Sequence, residues 1–202
     1  MLGHNLESQP LNTALALILR RNVYHSWTSK LPSCYISFSA LMGFARYIQL
    51  ACEALLPPLV HNGVSFEAHA QNVLVRIDLS TCKPLGFIVR DLGGLRIHPA
   101  TLCATTGINF KFLPGHCIIT ETLEETYPKF YHTFVHNHIQ RLIRILGLHH
   151  NGHGWEMLRQ HMQAVIPVNH GLQKAWFGSG SKTVPLKCLM RMRMQDSYRE
   201  VS

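Results

Sequence analysis

The pattern of hydrophobic and polar positions predicts helices on both sides of a β-rich centre. Apolar residues recur at helical spacing in five stretches: residues 11–22, 36–56, 129–148, 152–166 and 187–199. Pro57 and Pro58 follow the second stretch and end that helix. From Gly63 to Asp91 the pattern changes to short β-branched runs, which predict strands.

The β-rich centre predicts a single antiparallel hairpin. Residues 72–78 (NVLVRID) and 85–91 (LGFIVRD) have strand-like composition, and the turn-prone residues 79–84 (LSTCKP) lie between them. The predicted fold class is therefore α+β, mostly helical, with a central antiparallel hairpin.

Four polar residues lie on the approach to the first strand of this hairpin. They are Glu67, His69, Gln71 and Asn72, in the otherwise apolar stretch VSFEAHAQNVLV. Buried polar groups are costly unless they are paired. This end of the strand therefore either faces water or lines a site.

A turn centred between Thr81 and Cys82 would place Asn72 directly opposite Asp91, on one face of the hairpin. Amide and carboxylate oxygens are the ligands that Mg²⁺ prefers. Protein kinases also use an Asn and an Asp to hold metal against ATP phosphates. The spacing therefore suggests a metal site at the open end of the hairpin.

Spacing alone leaves a second interpretation open, in which Asn72 caps a turn and Asp91 forms an ion pair with Arg90 or Arg96 at the surface. The sequence contains no kinase glycine-rich loop, no H-R-D triplet and no Walker A motif. An ordinary kinase or P-loop enzyme is therefore disfavoured.

Charge and composition narrow the remaining classes. The formal charge of +8 suggests an anionic partner, but basic residues are dense only near the C-terminus, which disfavours nucleic acid. No apolar run is long enough to span a membrane, and the N-terminus lacks the pattern of a signal peptide. The six cysteines include no C-x-x-C pair, which favours reduced thiols and a cytoplasmic location.

Two phrases in the centre of the chain closely resemble a known family. Residues 55–78 (LLPPLVHNGVSFEAHAQNVLVRID) and 86–99 (GFIVRDLGGLRIHP) resemble the C-terminal half of the aerobactin-synthetase (IucA/IucC) family. These are siderophore synthetases that work without a nonribosomal peptide template. Their K-x-x-L-x-x-R motif is similar to residues 186–193 (LKCLMRMR). Iron reductases grouped with the family use a cysteine cluster for an iron–sulfur centre, which the cysteine spacing here does not suggest.

The resemblance implies an ATP-dependent ligase with ATP and Mg²⁺ as cofactors. Such enzymes adenylate a carboxylate of citrate or a related acid, and an amine or alcohol then attacks the acyl-adenylate. Their palm domain is similar to a kinase large lobe. By position, Glu67, His69, Asn72, Arg90 and Asp91 would line the ATP and carboxylate site. Asn72 and Asp91 would hold Mg²⁺, and His69 and Lys187 would be the catalytic groups.

Members of this family are normally several hundred residues long, and residues 1–62 show no counterpart of their ATP-gripping segment. We therefore expect a fragment, in which residues 1–35 are an extension or remnant and residues 36–202 are the C-terminal palm domain. Two other interpretations stay open: a non-catalytic remnant or interaction module, and a kinase-like phosphotransferase. The expected partners are a small acid and an amine or alcohol, without nucleic acid or membrane. A homodimer also stays open.

Overall fold

The structure is a computed structural model that describes residues 38–78, 83–109, 111 and 116–178. Helices and short strands follow one another in these residues: α1 (Phe38–Leu55), α2 (Pro57–Asn62), β1 (Val64–Ser65), β2 (Val73–Ile77), β3 (Pro84–Val89), a 3-10 turn (Leu92–Gly94), β4 (Arg96–Ile97), α3 (Pro99–Thr106), a 3-10 turn (Glu124–Thr126), α4 (Tyr127–Phe130), a π-helix (Tyr131–Ile139), α5 (Gln140–Ile145), α6 (His153–Val165) and α7 (Gly171–Phe177). The α+β class is confirmed. The helices predicted at 11–22 and 187–199 lie outside the described residues.

Helix α1 supplies one large face of the core. Its apolar side chains repeat every three or four residues, as predicted for 36–56. The buried members are Phe44, Tyr47, Ile48, Ala51, Cys52 and Leu55. The helix ends at Leu55, and Pro57 then begins α2, where a missing backbone N–H costs nothing. Within the described residues, no helix is long and apolar enough to cross a membrane.

The helix predicted at 129–148 is present as α4, the π-helix and α5 in succession. Its predicted apolar face is buried except for Tyr131, which is half-buried. The π-helix in the middle was not predicted, because apolar spacing does not separate it from an α-helix. π-helical turns are rare and occur often at functional sites. The predicted helix at 152–166 is confirmed as α6.

Strands β2 and β3 form the predicted antiparallel hairpin, with a register one residue away from the expected one. Val73 lies opposite Val89, and the Arg90 N–H donates to the Asn72 carbonyl at 2.9 Å. Asn72 therefore lies opposite Arg90. The prediction that Asn72 lies opposite Asp91 is wrong.

Strands β1 and β4 form a second antiparallel pair that the sequence did not predict. Val64 lies opposite Ile97, and Ser65 lies opposite Arg96. These strands precede and follow the hairpin along the chain. Their pairing therefore brings the loop before the hairpin beside the turn after it.

Candidate functional site

The polar stretch at residues 66–72 forms a loop between β1 and β2. The backbone N–H groups of Asn72 and Val73 both donate to the His69 carbonyl, at 2.9 and 3.2 Å, and so make a turn before β2. Phe66 and Ala68 are buried, whereas the Glu67 and His69 side chains keep 34% and 25% of their surface exposed. The loop therefore anchors itself in the core and presents its two ionisable groups to solvent.

Glu67 is the centre of a charged cluster. Its Oε1 lies 3.0 Å from the Lys129 Nζ, and its Oε2 lies 3.7 Å from the His69 Nε2. Lys129 belongs to α4, far along the chain from the other two. The fold thus brings a carboxylate, an ammonium and an imidazole together at one place.

Gly94 makes the space that the Glu67 side chain occupies. Continuing the β1–β4 register from the pair Ser65 and Arg96 places Glu67 opposite Gly94. A Cβ added to Gly94 would lie 2.6 Å from the Glu67 Oε1 and clash with the rest of the carboxyl group. The second glycine of the G-G pair therefore leaves room for the carboxylate.

The buried side chain of His138 binds the backbone of the loop at residues 66–72 from the core side. The His138 Nδ1 is 3.0 Å from the Ala68 carbonyl oxygen, and its Nε2 is 2.6 Å from the Tyr47 hydroxyl. Because a carbonyl can only accept, Nδ1 carries the proton and Tyr47 donates to Nε2. Burial lowers the pKa of His138 to about 4 and raises the pKa of Tyr47. Both groups are therefore neutral at neutral pH.

Thr133 of the π-helix binds the other side of the same peptide. The Ala68 N–H donates to the Thr133 Oγ1 at 3.2 Å, and the Thr133 hydroxyl donates to the Lys129 carbonyl at 3.0 Å. Both backbone polar groups of Ala68 are thus held by the π-helix. Since Ala68 lies between Glu67 and His69, their backbone is fixed on a rigid element, as a preorganised site requires.

Asn72 is almost fully buried, with 2% of its surface exposed. Its Nδ2 has no hydrogen-bond partner in the described part of the chain. An unsatisfied buried donor costs about 1–3 kcal/mol. Arg90, opposite Asn72, donates from Nε to the Gln71 carbonyl at 2.9 Å. An orphaned amide and a fixed guanidinium therefore mark this end of the hairpin.

Asp91 is exposed and has a left-handed backbone, with φ of 57°. Among residues 38–178 as described, it forms no ion pair within 4.0 Å, so the ion pair with Arg90 or Arg96 that the second interpretation requires is not seen. A positive φ is uncommon outside glycine, although Asp and Asn adopt it more readily than most residues. Uncommon backbone conformations of this kind cluster at functional sites, which makes Asp91 a candidate site residue.

The 3-10 turn at Leu92–Gly94 joins the two parts of the site. A Cβ on Gly93 would lie 3.5 Å from the Asp91 Oδ1, while the neighbouring Gly94 lies against Glu67. The structure therefore places the predicted residues Glu67, His69 and Asp91 around one turn. Lys187 lies outside the described residues. No group of three or more His, Cys, Asp or Glu that could hold a metal is found where the structure describes the chain.

Sequence reasoning missed four residues that shape this site: Lys129, Thr133, His138 and Gly94. The first three come from a helix that was predicted only as an apolar packing face. Nothing in their local sequence indicates a contact with the loop. Gly94 did have a signal, because the G-G pair follows the strand directly and suggests a close approach of two backbones.

Comparisons with known proteins find a matching family model and relatives named as siderophore synthetases. Residues 44–201 match the family model described as "Ferric iron reductase FhuF-like transporter". The chain is 41% identical over 155 residues to the NRPS-independent siderophore synthetase rfs of Rhizopus delemar, covering 77% of this chain and 24% of that protein. It is 34% identical over 157 residues to the NRPS-independent siderophore synthetase-like protein ankE of Aspergillus thermomutatus, covering 77% and 25%. The chain thus spans about a quarter of the length of these relatives.

Two further matches are more distant. Staphyloferrin A synthase of Staphylococcus aureus is 27% identical over 165 residues, covering 76% of this chain and 27% of the relative. The fold is similar to the petrobactin biosynthesis protein AsbB of Bacillus anthracis, with a TM-score of 0.51 and 12% identity, over 63% of this chain and 23% of that one. At that identity the structural match supports the fold alone.

Proposed function

Because this chain belongs to the NRPS-independent siderophore synthetase family, and residues 44–201 match the FhuF-like family model, we propose that it is part of an ATP-dependent enzyme of siderophore biosynthesis. In the reaction we propose, a citrate-type carboxylate attacks the α-phosphorus of ATP, and pyrophosphate leaves. An amine or alcohol then attacks the acyl-adenylate and releases AMP. The product is an amide or an ester.

The observation that carries this proposal is the cluster of Glu67, His69 and Lys129 beside the Asp91 turn. A carboxylate and a triphosphate repel each other, so a site that aligns them must supply positive charge and hydrogen-bond donors. Lys129 and His69 supply these on one side of the turn. Arg90 supplies a guanidinium next to Asp91.

We assign roles to the remaining polar residues by their chemistry. His69 would act on the acid carboxylate, together with Lys187. Asn72 and Asp91 have oxygen atoms of the kind that suits Mg²⁺. We keep both as proposed ligands on the strength of the family resemblance, although Asn72 lies opposite Arg90 and not opposite Asp91. Within the described residues, the Asp91 carboxylate forms no ion pair. A metal ion bound there would neutralise charge on the leaving pyrophosphate.

The finer fold and domain assignments belong to the same proposal. We propose that residues 36–202 form a palm-type domain similar to a kinase large lobe, with residues 1–35 as an extension. The α+β architecture and the match to the petrobactin biosynthesis protein support a synthetase-type fold. The antiparallel hairpin beside an Asn and an Asp is the feature shared with kinases.

Mg²⁺-dependent nucleotide binding tests the proposed metal site. Asp91→Asn removes the charge and keeps a residue that tolerates a positive φ. Loss of a charged contact should weaken binding of Mg²⁺·ATP by about tenfold or more, measured by NMR titration of the 202-residue chain. Glu121→Gln is the control, because Glu121 is exposed. Unchanged Mg²⁺·ATP affinity in Asp91→Asn would exclude Asp91 as the ligand.

A further inference from the structure

We propose that Lys129 is a binding residue of this site, whose ammonium binds an oxyanion of the substrate. Glu67 holds the ammonium in position for that contact. The inference rests on the proposed function and deepens it, since Lys129 lies outside the two phrases that carry the family resemblance. The oxyanion is either a carboxylate of the acid or a phosphate of the nucleotide. Both offer the same chemistry to an ammonium group.

The first support is the position of the Lys129 ammonium. Its Nζ lies 3.0 Å from the Glu67 Oε1, and the side chain keeps 21% of its surface exposed. An ammonium has three donors. Within the described residues, Glu67 is the one partner of this ammonium, which leaves donors for a ligand. Partial burial strengthens an electrostatic contact relative to one at the open surface.

The second support is the arrangement of charges around it. Lys129 neutralises Glu67, and His69 adds a hydrogen-bond donor or a positive charge 3.7 Å from the other carboxylate oxygen. An incoming anion therefore meets a cluster that is neutral or positive. Protein kinases use the same device, in which a glutamate holds a lysine that contacts the nucleotide phosphates.

The third support is that the surroundings fix Glu67 in place. Gly94 leaves room for the carboxyl group that any other residue would displace. The loop below is held by His138 and Thr133 through both backbone groups of Ala68. A surface ion pair normally loses much of its value to side-chain entropy. Here one partner is already ordered, so Lys129 is held at a defined point.

The test is a set of NMR titrations on the 202-residue chain, with citrate in one arm and Mg²⁺·ATP in the other. The variants are Lys129→Met, which keeps the length of the stem, and Lys129→Arg, which keeps the charge. Lys174→Met is the matched control, because Lys174 is also helical and is exposed. Melting temperatures of all variants show whether each one is folded.

We expect Lys129→Met to weaken at least one ligand by about tenfold, with Lys129→Arg retaining much of the affinity and Lys174→Met all of it. The arm that changes identifies the oxyanion as carboxylate or phosphate. If a folded Lys129→Met binds both ligands as the wild type does, the inference is overturned while the proposed function stands. If the wild type binds neither ligand, both are overturned.

Discussion

Gly93 and Gly94 are neighbours in the sequence, yet their surroundings differ. A Cβ on Gly93 would make an ordinary contact at 3.5 Å with the Asp91 carboxylate, whereas one on Gly94 would overlap the Glu67 carboxyl group. Neither glycine has a positive φ, so alanine is allowed by the backbone at both positions. The difference between them therefore isolates the effect of displacing Glu67.

We predict that Gly94→Ala lowers the affinity for citrate or Mg²⁺·ATP, whereas Gly93→Ala leaves it unchanged. The Glu67 side chain can rotate away from the new methyl group, so the free energy of unfolding should change by less than about 1 kcal/mol, the usual limit for such an ion pair. Titrations and urea unfolding of both variants measure this. Equal affinities in Gly94→Ala and the wild type would show that the Glu67 position does not matter.

His138 gives the fold a dependence on pH. Its pKa is lowered by burial from 6.5 to about 4, so between these values the unfolded chain binds a proton that the folded chain does not. The contribution of neutral His138 to the free energy of unfolding should therefore be fully present above pH 6.5. It should fall by about 3 kcal/mol as the pH drops toward 4. Urea unfolding across this range measures the slope.

The control is His138→Gln, which can keep both hydrogen bonds and does not titrate. The pKa values of His136 and His170 are also lowered by burial, so some slope should remain in the variant. The difference between the two profiles reports His138 alone. Parallel profiles of wild type and variant would contradict a neutral, buried His138.

The residues of this site could be predicted only where local sequence carries a signal. Glu67, His69 and Asn72 stand out because polar groups interrupt an apolar stretch. Lys129 and His138 have no such signal, since their roles come from contacts with residues more than sixty positions away. Long-range contacts of this kind depend on helix packing, which the pattern of one segment does not determine.

Among the elements, the hairpin shows that residue spacing predicts strands but not their register. The two strands were predicted, but their register depends on the turn and on a shift between Arg76 and Ile77. One residue of difference moves Asn72 from Asp91 to Arg90. Register in a hairpin follows turn type and bulges, and the composition of residues 79–84 does not determine either of them.

The π-helix is the element that connects the core to the site, and Thr133 tests that connection. Thr133→Val keeps the shape but removes the Thr133 Oγ1 as an acceptor of the buried Ala68 N–H, which keeps its contact with the Phe66 carbonyl at 3.0 Å. We predict a loss of about 0.5–1.5 kcal/mol in the free energy of unfolding, the usual net contribution of one hydrogen bond. Thr133→Ser keeps the hydroxyl and should lose less. Urea unfolding of both variants measures the difference, and equal losses would mean that packing of the methyl group, not the hydrogen bond, is responsible.

For the whole molecule, one aromatic group joins the three parts that were predicted separately. The Tyr47 ring of α1 packs edge-on against Phe87 of the hairpin at 5.3 Å and against His138 of the π-helix at 5.9 Å. The α+β class followed from the order of the elements. How they meet did not, because the short β1–β4 pair and the loop at residues 66–72 have no repeating pattern.

The length of the chain relative to its relatives determines what we expect of its catalytic activity. Adenylation requires the triphosphate and the carboxylate to be aligned at close range, and the proposed site supplies groups on only one side of such an arrangement within the described residues. The chain spans about a quarter of the relatives' length. We therefore predict that the 202 residues alone bind ligands but do not turn them over. Citrate-dependent pyrophosphate release with a panel of amines measures this. The assay is run with the 202 residues alone and after adding the part of a relative that the chain does not cover.

Turnover by the 202 residues alone would contradict the prediction, and release of ADP in place of AMP would indicate a phosphotransferase. Rescue by the added portion would locate the reaction at the junction of the two.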